Sequence, residues 1–436
     1  MLVPGFGVVS GPRLLRFRHT SATAAVQRLY LEYPEMAELP FFEQQAMIDD
    51  LHLSYTAGLV QGLRTLGYDA LDILYDVPQL QSAWERDTGT NLGTVNRPLA
   101  LAYSTIAELR PSIVLEQSFG LFHPADLDHL RTEYPFVDVL AMHVGFPLVG
   151  YPVDFGKSPQ IDVMFITNPD FAEDYRAVGI RQVEVVPHGF DSSVLARLSA
   201  EPRDLPLVFA GSSGFGFGET HWSRFAYLDA LCATTPIHCY LQEPAGGASI
   251  RTQAGDQQSR LKNTVRTATR RAKDRIRPLL KGSHVAEDAP RRELINRPPL
   301  SWAPPTVPLQ VKYPSRCEPA VFGMDMYRVL NRAEVTFHRG ADVDGNYSTA
   351  LRLYETTGVG SLLFTNHVKQ LPTIFEPDRE IVTYGSVSEC TEKAAYLLDN
   401  LGVAREIAEA GQRRTLGAYT LEHRAAQFHE VFTKLL

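Results

Sequence analysis

Short apolar runs alternate with amphipathic stretches throughout the first half of the chain. The stretch 41–66 repeats apolar residues near helical spacing and is followed by Gly67, so it predicts one long helix. Further helices are predicted at 80–89, 95–109 and 171–179, and strands at 70–76, 111–117, 137–145, 161–167 and 183–189. Apolar strands that alternate with helices are typical of a parallel sheet covered on both faces.

The second half repeats this alternation after a polar, proline-containing stretch near 195–207, which we interpret as a linker. Ser386 and Glu389 have the spacing of a capping box, and Thr420 is expected to cap a last helix that continues through Leu435. Strands are predicted at 207–210, 334–338, 361–365 and 380–384, and helices at 324–331, 346–357, 387–399 and 404–416. The pattern therefore indicates a second α/β unit.

Composition narrows the class of protein. The chain has 436 residues, 44% of them apolar, which is enough for two or three domains with real cores. Its net charge of −8 argues against a general nucleic-acid binder, and no apolar run is long enough to predict a membrane span. Four cysteines lie far apart in the sequence without a C-x-x-C pair, which argues against a structural zinc site or a disulfide scaffold. The apolar start is broken by prolines and glycines, so we expect no signal peptide and a cytoplasmic protein.

The segment 251–281 has an unusual charge for this chain. It contains ten Lys or Arg and two Asp, so its net charge is +8 and the remainder carries −16. Apolar residues at helical spacing form a narrow stripe along it. The segment can be a solvated surface helix, or it can bind the anionic inner surface of a membrane or a lipid phosphate. Nucleic-acid binding is the third and least favoured interpretation, because no aromatic residues are interleaved to stack on bases. A proline-rich connection follows as far as residue 319.

The stretch 344–366 concentrates the candidate chemistry. It predicts a turn, a helix over 346–357, a glycine corner and a buried strand. Ser348, Arg352 and Glu355 fall on one helical stripe, with Thr349 in the first turn. Free N–H groups at a helix start bind anions such as a diphosphate, and a carboxylate deeper in the helix can accept hydrogen bonds from sugar hydroxyls. The alternative is an ordinary amphipathic helix in which Arg352 and Glu355 form a salt bridge.

Side chains just after the predicted strands are candidates for the chemistry, because ligands bind beyond the carboxyl ends of parallel strands. His143 and, less favoured, His188 are candidates for a general base, since imidazole titrates near neutral pH. The alternative is that each histidine caps a loop or binds a backbone carbonyl. Asp342-Val-Asp344 is interpreted as a turn, and we expect no metal site.

A glycine-rich loop, GSSGFGFG, joins a strand to a helix expected to begin near Glu219 or Thr220. Such a loop lets the backbone approach a ligand closely. It lacks the GK[ST] ending of a P-loop and a strict GxGxxG, so it does not predict a second dinucleotide site. It is interpreted as a ligand contact at Gly211 and Ser212, or otherwise as a flexible turn.

The segments RLYETTGVGSLLFTN, LPTIFEPDREIVTYGSVSEC and IAEAGQRRTLGAYTLEHR resemble the C-terminal half of CgeB-like glycosyltransferases, which belong to the GT-B group. The segments LYLEYPEM, LGYDALDILYDVPQLQSAWE and IAELRPSIVLEQ resemble the N-terminal domain of the same family, so the similarity covers most of the chain, from about Tyr30 onward. The resemblance implies that the helix at 346–357 points at a donor diphosphate and that Glu355 binds the ribose. It also implies donor-side positions, which this sequence matches with Gly211, Ser212, His221, Arg224, His338, Arg339, Ser348, Thr349, Arg352 and Glu355. Two departures are Tyr347, where many retaining relatives have an acid, and Ala350, where relatives often have Asn.

The resemblance implies two Rossmann-like domains that face each other across a cleft: residues 1–198 with a C-terminal crossover helix at 420–436, and residues 204–419, which include the segment 251–319. It implies sugar transfer from a nucleotide sugar to a hydroxyl of a saccharide, lipid-linked saccharide or protein. Arg339 and helix N–H groups, rather than a metal or cofactor, would stabilise the leaving diphosphate. The alternatives are a non-catalytic carbohydrate-binding or surface-assembly protein and a sugar-nucleotide epimerase on the same fold.

Overall fold

The structure is a computed structural model that describes residues 11–20, 22–117, 120–145, 158–199, 202–216, 221–242, 302–345, 347–348 and 350–436. The basic segment 251–281, most of the proline-rich connection and Thr349 lie outside the described residues, so the predictions about them stay predictions.

In the described part of the chain, six parallel strands form a first sheet in the order β2-β1-β3-β4-β5-β6. The strands are β1 (Arg13–Arg18), β2 (Asp69–Leu74), β3 (Ile113–Gln117), β4 (Val139–Val144), β5 (Val163–Ile166) and β6 (Val183–Val185). The helices are α1 (Thr23–Glu32), α2 (Phe41–Asp49), α3 (Gly58–Thr65), α4 (Pro78–Thr88), α5 (Arg97–Leu109), α6 (Pro124–Glu133) and α7 (Pro169–Ala177). Consecutive residues such as Leu14 and Leu15 point to opposite faces of the sheet and enter different buried clusters, so both faces of this sheet are covered.

The second sheet also has six parallel strands within the described residues, in the order β12-β11-β10-β7-β8-β9. The strands are β7 (Leu205–Ser212), β8 (Ile237–Gln242), β9 (Cys317–Pro319), β10 (Ala333–His338), β11 (Leu362–Asn366) and β12 (Val382–Tyr384). The helices are α8 (Arg224–Thr234), α9 (Leu309–Lys312), α10 (Gly323–Arg332), α11 (Arg352–Gly358), α12 (Leu371–Ile374), α13 (Val387–Asp399), α14 (Leu401–Ala418) and α15 (Leu421–Leu435). Two doubly wound units confirm the predicted α/β fold.

The last helix, α15, crosses back to the first sheet, as predicted. Phe428 stacks on Phe165 of β5 with ring centroids 4.0 Å apart, and Ala425 lies against Gly62 of α3. Thr420 and His423 form the capping box that starts α15, so Thr420 is the cap that the sequence predicts. Helix α15 covers one face of the first domain although it follows the whole second domain in sequence.

The prediction of one helix over 41–66 is wrong. The chain forms α2 and α3 with a non-helical loop at 50–57 between them, in which His52 and Tyr55 have positive φ values of 50° and 60°. Tertiary contacts hold this loop in place, because Arg16 donates to the Thr56 carbonyl at 2.6 Å and the Met324 N–H donates to the Leu51 carbonyl at 2.9 Å. These long-range bonds override the helical spacing of the apolar residues.

The helix predicted over 346–357 begins later than expected, at Arg352. Asp342–Asp344 forms a 3-10 turn, which agrees with the interpretation of this triplet as a turn. Asp342 is held there because its carboxylate accepts hydrogen bonds from the N–H and the hydroxyl of Ser223. The expected first helical turn at Ser348 is therefore loop, and Ser348 does not share a helical stripe with Glu355. Helix α8 also begins later than predicted, at Arg224.

Candidate active site

The strand order reverses between β1 and β3 in the first sheet and between β7 and β10 in the second. Ligands of doubly wound sheets bind beyond the carboxyl ends of the strands at such points. Residues from both domains line two adjoining cavities there, which we call the central and the lateral cavity. The cleft between the domains is thus lined by residues at the carboxyl ends of strands from both sheets.

The central cavity has a volume of about 530 Å³, including the space open to solvent. The first domain contributes a polar wall, the second contributes residues of α10 and the start of α11, and α15 closes one side. The lining residues used below are Arg16, Tyr55, Gln117, His143, His188 and Glu355. A cavity with both apolar walls and converging polar groups is the usual form of a small-molecule site.

The lateral cavity, of about 820 Å³, opens at the carboxyl ends of β7 and β8. Gly211 and Gln242 lie at those strand ends, and Arg352 and Glu355 of α11 face them. Leu53, Ser54, Leu351 and Glu355 line both the lateral and the central cavity. Glu355 therefore stands where the two cavities meet.

Glu355 is buried and held by partners from two helices. Its carboxylate forms a salt bridge with Arg352, with 3.0 Å between Nη1 and Oε2, and it accepts a hydrogen bond from the Tyr327 hydroxyl of α10. Arg352 also donates to the Ala210 carbonyl of β7 at 3.2 Å. The alternative interpretation, a pair at i and i+3, thus describes a real salt bridge, yet both side chains also line the lateral cavity. The pair presents an oriented carboxylate to the cleft.

His143 lies at the end of β4 and lines the central cavity. Its Nδ1 is 2.9 Å from Nε2 and 3.2 Å from Oε1 of Gln117, while its buried Nε2 has no hydrogen-bond partner among the described residues. Burial, followed by His188 and Arg16, lowers the pKa of His143 well below its ordinary value. The imidazole is therefore neutral at pH 7 and can accept a proton.

His188 lies beside His143, with 6.0 Å between ring centroids, and lines the same cavity. Burial and, to a lesser degree, Arg424 of α15 lower its pKa to about 4. The ring of Tyr55, from the loop between α2 and α3, lies 5.9 Å from that of His188. The central cavity thus holds two neutral imidazoles supported by an aromatic ring.

Three of the predicted donor residues lie behind the cavity walls. Arg224 donates to the carbonyl oxygens of Ser212 and Arg339, at 3.0 and 2.7 Å, and so ties the ends of β7 and β10 together. The buried Ser212 hydroxyl accepts from the Gly214 N–H. Burial and Arg224 lower the pKa of His221 to about 3. These side chains do not line the central or the lateral cavity, whereas the predicted Gly211 does.

A smaller loop cavity, of about 270 Å³, lies beyond the end of β10. Arg339 and Ser348 line it. Arg339 donates to the Ser223 hydroxyl at 2.7 Å and lies 4.1 Å from the ring centre of Tyr227, so its guanidinium is oriented from both sides. The buried Ser348 hydroxyl has no hydrogen-bond partner in the described structure. This cavity brings together a fixed cation and an unused hydroxyl.

His338, the last residue of β10, is buried. Its Nδ1 forms a hydrogen bond with the Thr365 hydroxyl, 2.8 Å away. Burial, followed by Arg224 and Arg352, lowers its pKa well below the ordinary value. His338 is therefore a neutral support for the sheet end and does not line the three cavities described above.

The sequence interpretation did not identify the loop at 50–57 or Arg424 as parts of the site. Leu53, Ser54, Tyr55 and Thr56 line the central cavity only because the helix is interrupted there. Non-glycine residues with positive φ cluster at functional sites, but such a conformation cannot be read from residue type alone. Within the ranges described, no three His, Cys, Asp or Glu side chains are arranged to hold a metal, and no helix has the length and apolarity needed to cross a bilayer.

Comparison with known proteins agrees with this geometry. Residues 283–430 match the family described as "Glycosyl transferase-like". No curated protein sequence is significantly similar to the chain. Many solved structures are similar in fold, and three of them are compared below by identity, coverage and TM-score.

HepE of Anabaena, solved with UDP and glucose, is 11% identical; the match covers 97% of this chain and 100% of HepE, with a TM-score of 0.55. A glycosyltransferase of Rickettsia africae is 12% identical over 98% of this chain and 99% of its own, with a TM-score of 0.51. Sucrose-phosphate synthase of Thermosynechococcus elongatus is 12% identical over 97% of this chain and 99% of its own, with a TM-score of 0.50. The chain therefore has the two-domain GT-B fold, and its segment 283–430 is similar to the glycosyl transferase-like family.

Proposed function

We propose that this protein is a glycosyltransferase that moves a sugar from a nucleotide sugar to a hydroxyl acceptor. The observation that carries the proposal is the position of Glu355, a buried, oriented carboxylate at the junction of two cavities that lie beyond the carboxyl ends of strands from both sheets. The match of residues 283–430 to the glycosyl transferase-like family supports the same activity. HepE, which shares the fold, was solved with UDP and glucose, and this supports a nucleotide-sugar donor.

In this proposal the donor nucleotide occupies the lateral cavity and Glu355 accepts hydrogen bonds from the ribose hydroxyls. Arg339, Ser348 and Thr349 bind the diphosphate, so that side-chain and backbone donors rather than a metal neutralise its charge. The free Ser348 hydroxyl and the fixed guanidinium of Arg339 in the loop cavity support this role. The resemblance to CgeB-like glycosyltransferases supports these roles for the residues.

The acceptor hydroxyl enters the central cavity next to His143. Its oxygen attacks the anomeric carbon, the bond from that carbon to the diphosphate oxygen breaks, and the hydroxyl proton passes to Nε2 of His143. Two features of the structure support His143 as the base: its pKa keeps the ring neutral at pH 7, and Nε2 lacks a partner. Gln117 orients the ring through Nδ1.

A panel of UDP-, GDP-, dTDP- and CMP-sugars, screened for thermal stabilisation, identifies the donor. With that donor, Glu355→Gln is expected to weaken binding about 10- to 150-fold, because a charge-assisted hydrogen bond contributes about 1.5–3 kcal/mol. Glu406→Gln, on the exposed face of α14, is the matched control and should bind like the unmodified protein. His143→Gln should bind donor normally but lose transfer.

Unchanged donor affinity in Glu355→Gln, measured by calorimetry on folded protein, would refute the proposed donor site. A protein that binds donor but neither transfers nor slowly hydrolyses it would instead be a carbohydrate-binding protein on this fold. Product analysis without acceptor detects an epimerase.

A further inference from the structure

Three of the four cysteines, far apart in the sequence, meet at one edge of the second sheet. Cys232 lies on α8, Cys239 on β8 and Cys317 on β9, and we call them the thiol cluster. The sulfur atoms of Cys232 and Cys239 are 3.8 Å apart, and Cys239 is paired in register with Cys317 on the neighbouring parallel strand. All four cysteines are free thiols. Sequence spacing alone does not predict this arrangement.

The members of the cluster differ in access to solvent. Cys239 is fully buried and Cys232 is 5% exposed, whereas Cys317 is only partly buried, on the edge strand of the sheet. The thiols of Cys239 and Cys232 hydrogen-bond to Cys317, and the bond from Cys239 is the main cause that lowers the Cys317 pKa. The hydrogen bond with Cys232, followed by that with Cys317 and by burial, raises the pKa of Cys239. The accessible member is thus the one favoured as a thiolate, which is the reactive form of cysteine.

We propose that the thiol cluster is an oxidisable modification site in which Cys317 reacts with a hydroperoxide and Cys239 resolves the product. The Cys317 thiolate attacks one oxygen of hydrogen peroxide, the O–O bond breaks, and Cys317 becomes a sulfenic acid while the other oxygen leaves as water after protonation. The Cys239 thiol then attacks the Cys317 sulfur, and a disulfide forms with release of a second water. The two thiols supply the two electrons that reduce the peroxide.

The geometry of neighbouring strands permits this bond. Paired strands lie about 4.8 Å apart, and disulfides form when Cα atoms are about 4.4–6.8 Å apart. Cys232 lies near enough to supply a second hydrogen bond but sits on α8, across the packing layer from β9. We therefore assign the resolving role to Cys239, the register partner of Cys317.

The cluster lies next to the lateral cavity. Cys239 is three residues before Gln242 and Cys317 is three residues before Ala320, and both Gln242 and Ala320 line that cavity. A covalent bond between β8 and β9 would fix the edge of the cavity wall. The site itself rests only on the thiol geometry and is independent of the proposed function.

The test exposes full-length, reduced protein to stoichiometric hydrogen peroxide, alkylates remaining thiols under denaturing conditions, and maps peptides by mass spectrometry. We expect a Cys239–Cys317 crosslink that dithiothreitol reverses. In the untreated folded protein, iodoacetamide should modify Cys317 at least about tenfold faster than buried Cys390.

Matched variants separate the roles of the sulfurs. Cys390→Ser and Cys232→Ser should keep the crosslink. Cys317→Ser should abolish peroxide consumption at the cluster. Cys239→Ser should leave Cys317 as a sulfenic acid that a dimedone probe labels. Circular dichroism verifies that each variant is folded. The proposal is overturned if folded protein forms no Cys239–Cys317 bond, if Cys317 is oxidised directly to sulfinic acid, or if its alkylation rate equals that of Cys390.

Discussion

Gly358, the last residue of α11, offers a sharp test of how the helix that carries Glu355 is packed. A Cβ atom at this position would lie 2.4 to 2.5 Å from three carbons of the Phe190 ring. Carbon atoms in good contact are about 3.5–4.0 Å apart, so the ring or the helix would have to move by about 1 Å. Gly358→Ala therefore forces a rearrangement in the packing between α11 and the segment that leads into the second domain.

Phe190 has little freedom to move. It is fully buried, its N–H donates to the Tyr419 carbonyl at 2.8 Å, and its carbonyl accepts from the Leu421 N–H at 2.9 Å. Overpacking of this kind costs about 1–3 kcal/mol. For domains of this size each kcal/mol shifts Tm by about 2–4 °C, so we expect a decrease in Tm of about 2–12 °C.

Gly402→Ala is the matched control. Gly402 lies in the first turn of α14 and a Cβ there would meet no atom within 4 Å, so the same substitution should stabilise the protein by about 0.5–1 kcal/mol through helix propensity. Thermal unfolding followed by circular dichroism at 222 nm measures both variants. Phe190→Leu should partly rescue Gly358→Ala, so the double variant should lose less stability than the sum of the singles. The packing argument is refuted if Gly358→Ala behaves like Gly402→Ala, or if the double variant is strictly additive.

Two further predictions concern the first domain. Asp72→Asn should destabilise the protein by about 3–5 kcal/mol in urea unfolding, because it leaves the buried guanidinium of Arg16 without its carboxylate partner. Asp204→Asn removes a surface ion pair and is the control, since it should change the stability little. His188 has a pKa of about 4 when folded, below its value when unfolded, so the unfolded chain binds more protons and stability should fall as the pH drops from about 6.5 to 4. In His188→Gln the loss of stability between pH 7 and pH 5, measured from urea midpoints, should be smaller than in the parent protein. An equal loss in variant and parent would contradict this reasoning. His367→Gln, at an exposed position, is the control.

Most strands and helices were predictable, and the predicted strands are largely apolar runs, several of them buried along their whole length. Segments such as 137–145 and 334–338 carry this signal without help from distant residues, and strands are found there as predicted. The strands β1, β8 and β9 were not predicted. Residues just after those strands, including His143 and Gly211, were predicted to border a ligand site and do line the cavities. The rule that ligands bind beyond the carboxyl ends of strands made this possible.

The parts that could not be predicted depend on contacts between residues distant in sequence. The loop at 50–57 looked helical by spacing, but Arg16 and the start of α10 hold its backbone through hydrogen bonds to carbonyl groups. The thiol cluster depends on the pairing of β8 with β9, whose cysteines are 78 positions apart, from 239 to 317. Arg224, which the resemblance implies as a donor-side residue, donates to two backbone carbonyls that no sequence pattern foretells. Residue type alone cannot distinguish these uses.

The crossing of α15 onto the first sheet has a consequence for synthesis in the cell. Among the described elements α15 is the last to leave the ribosome, yet Phe428 and Phe432 complete an apolar layer with residues as early as Leu14. The apolar layer of the nascent first domain therefore stays exposed while the second domain is translated. Exposed apolar surface of this kind promotes aggregation and chaperone binding.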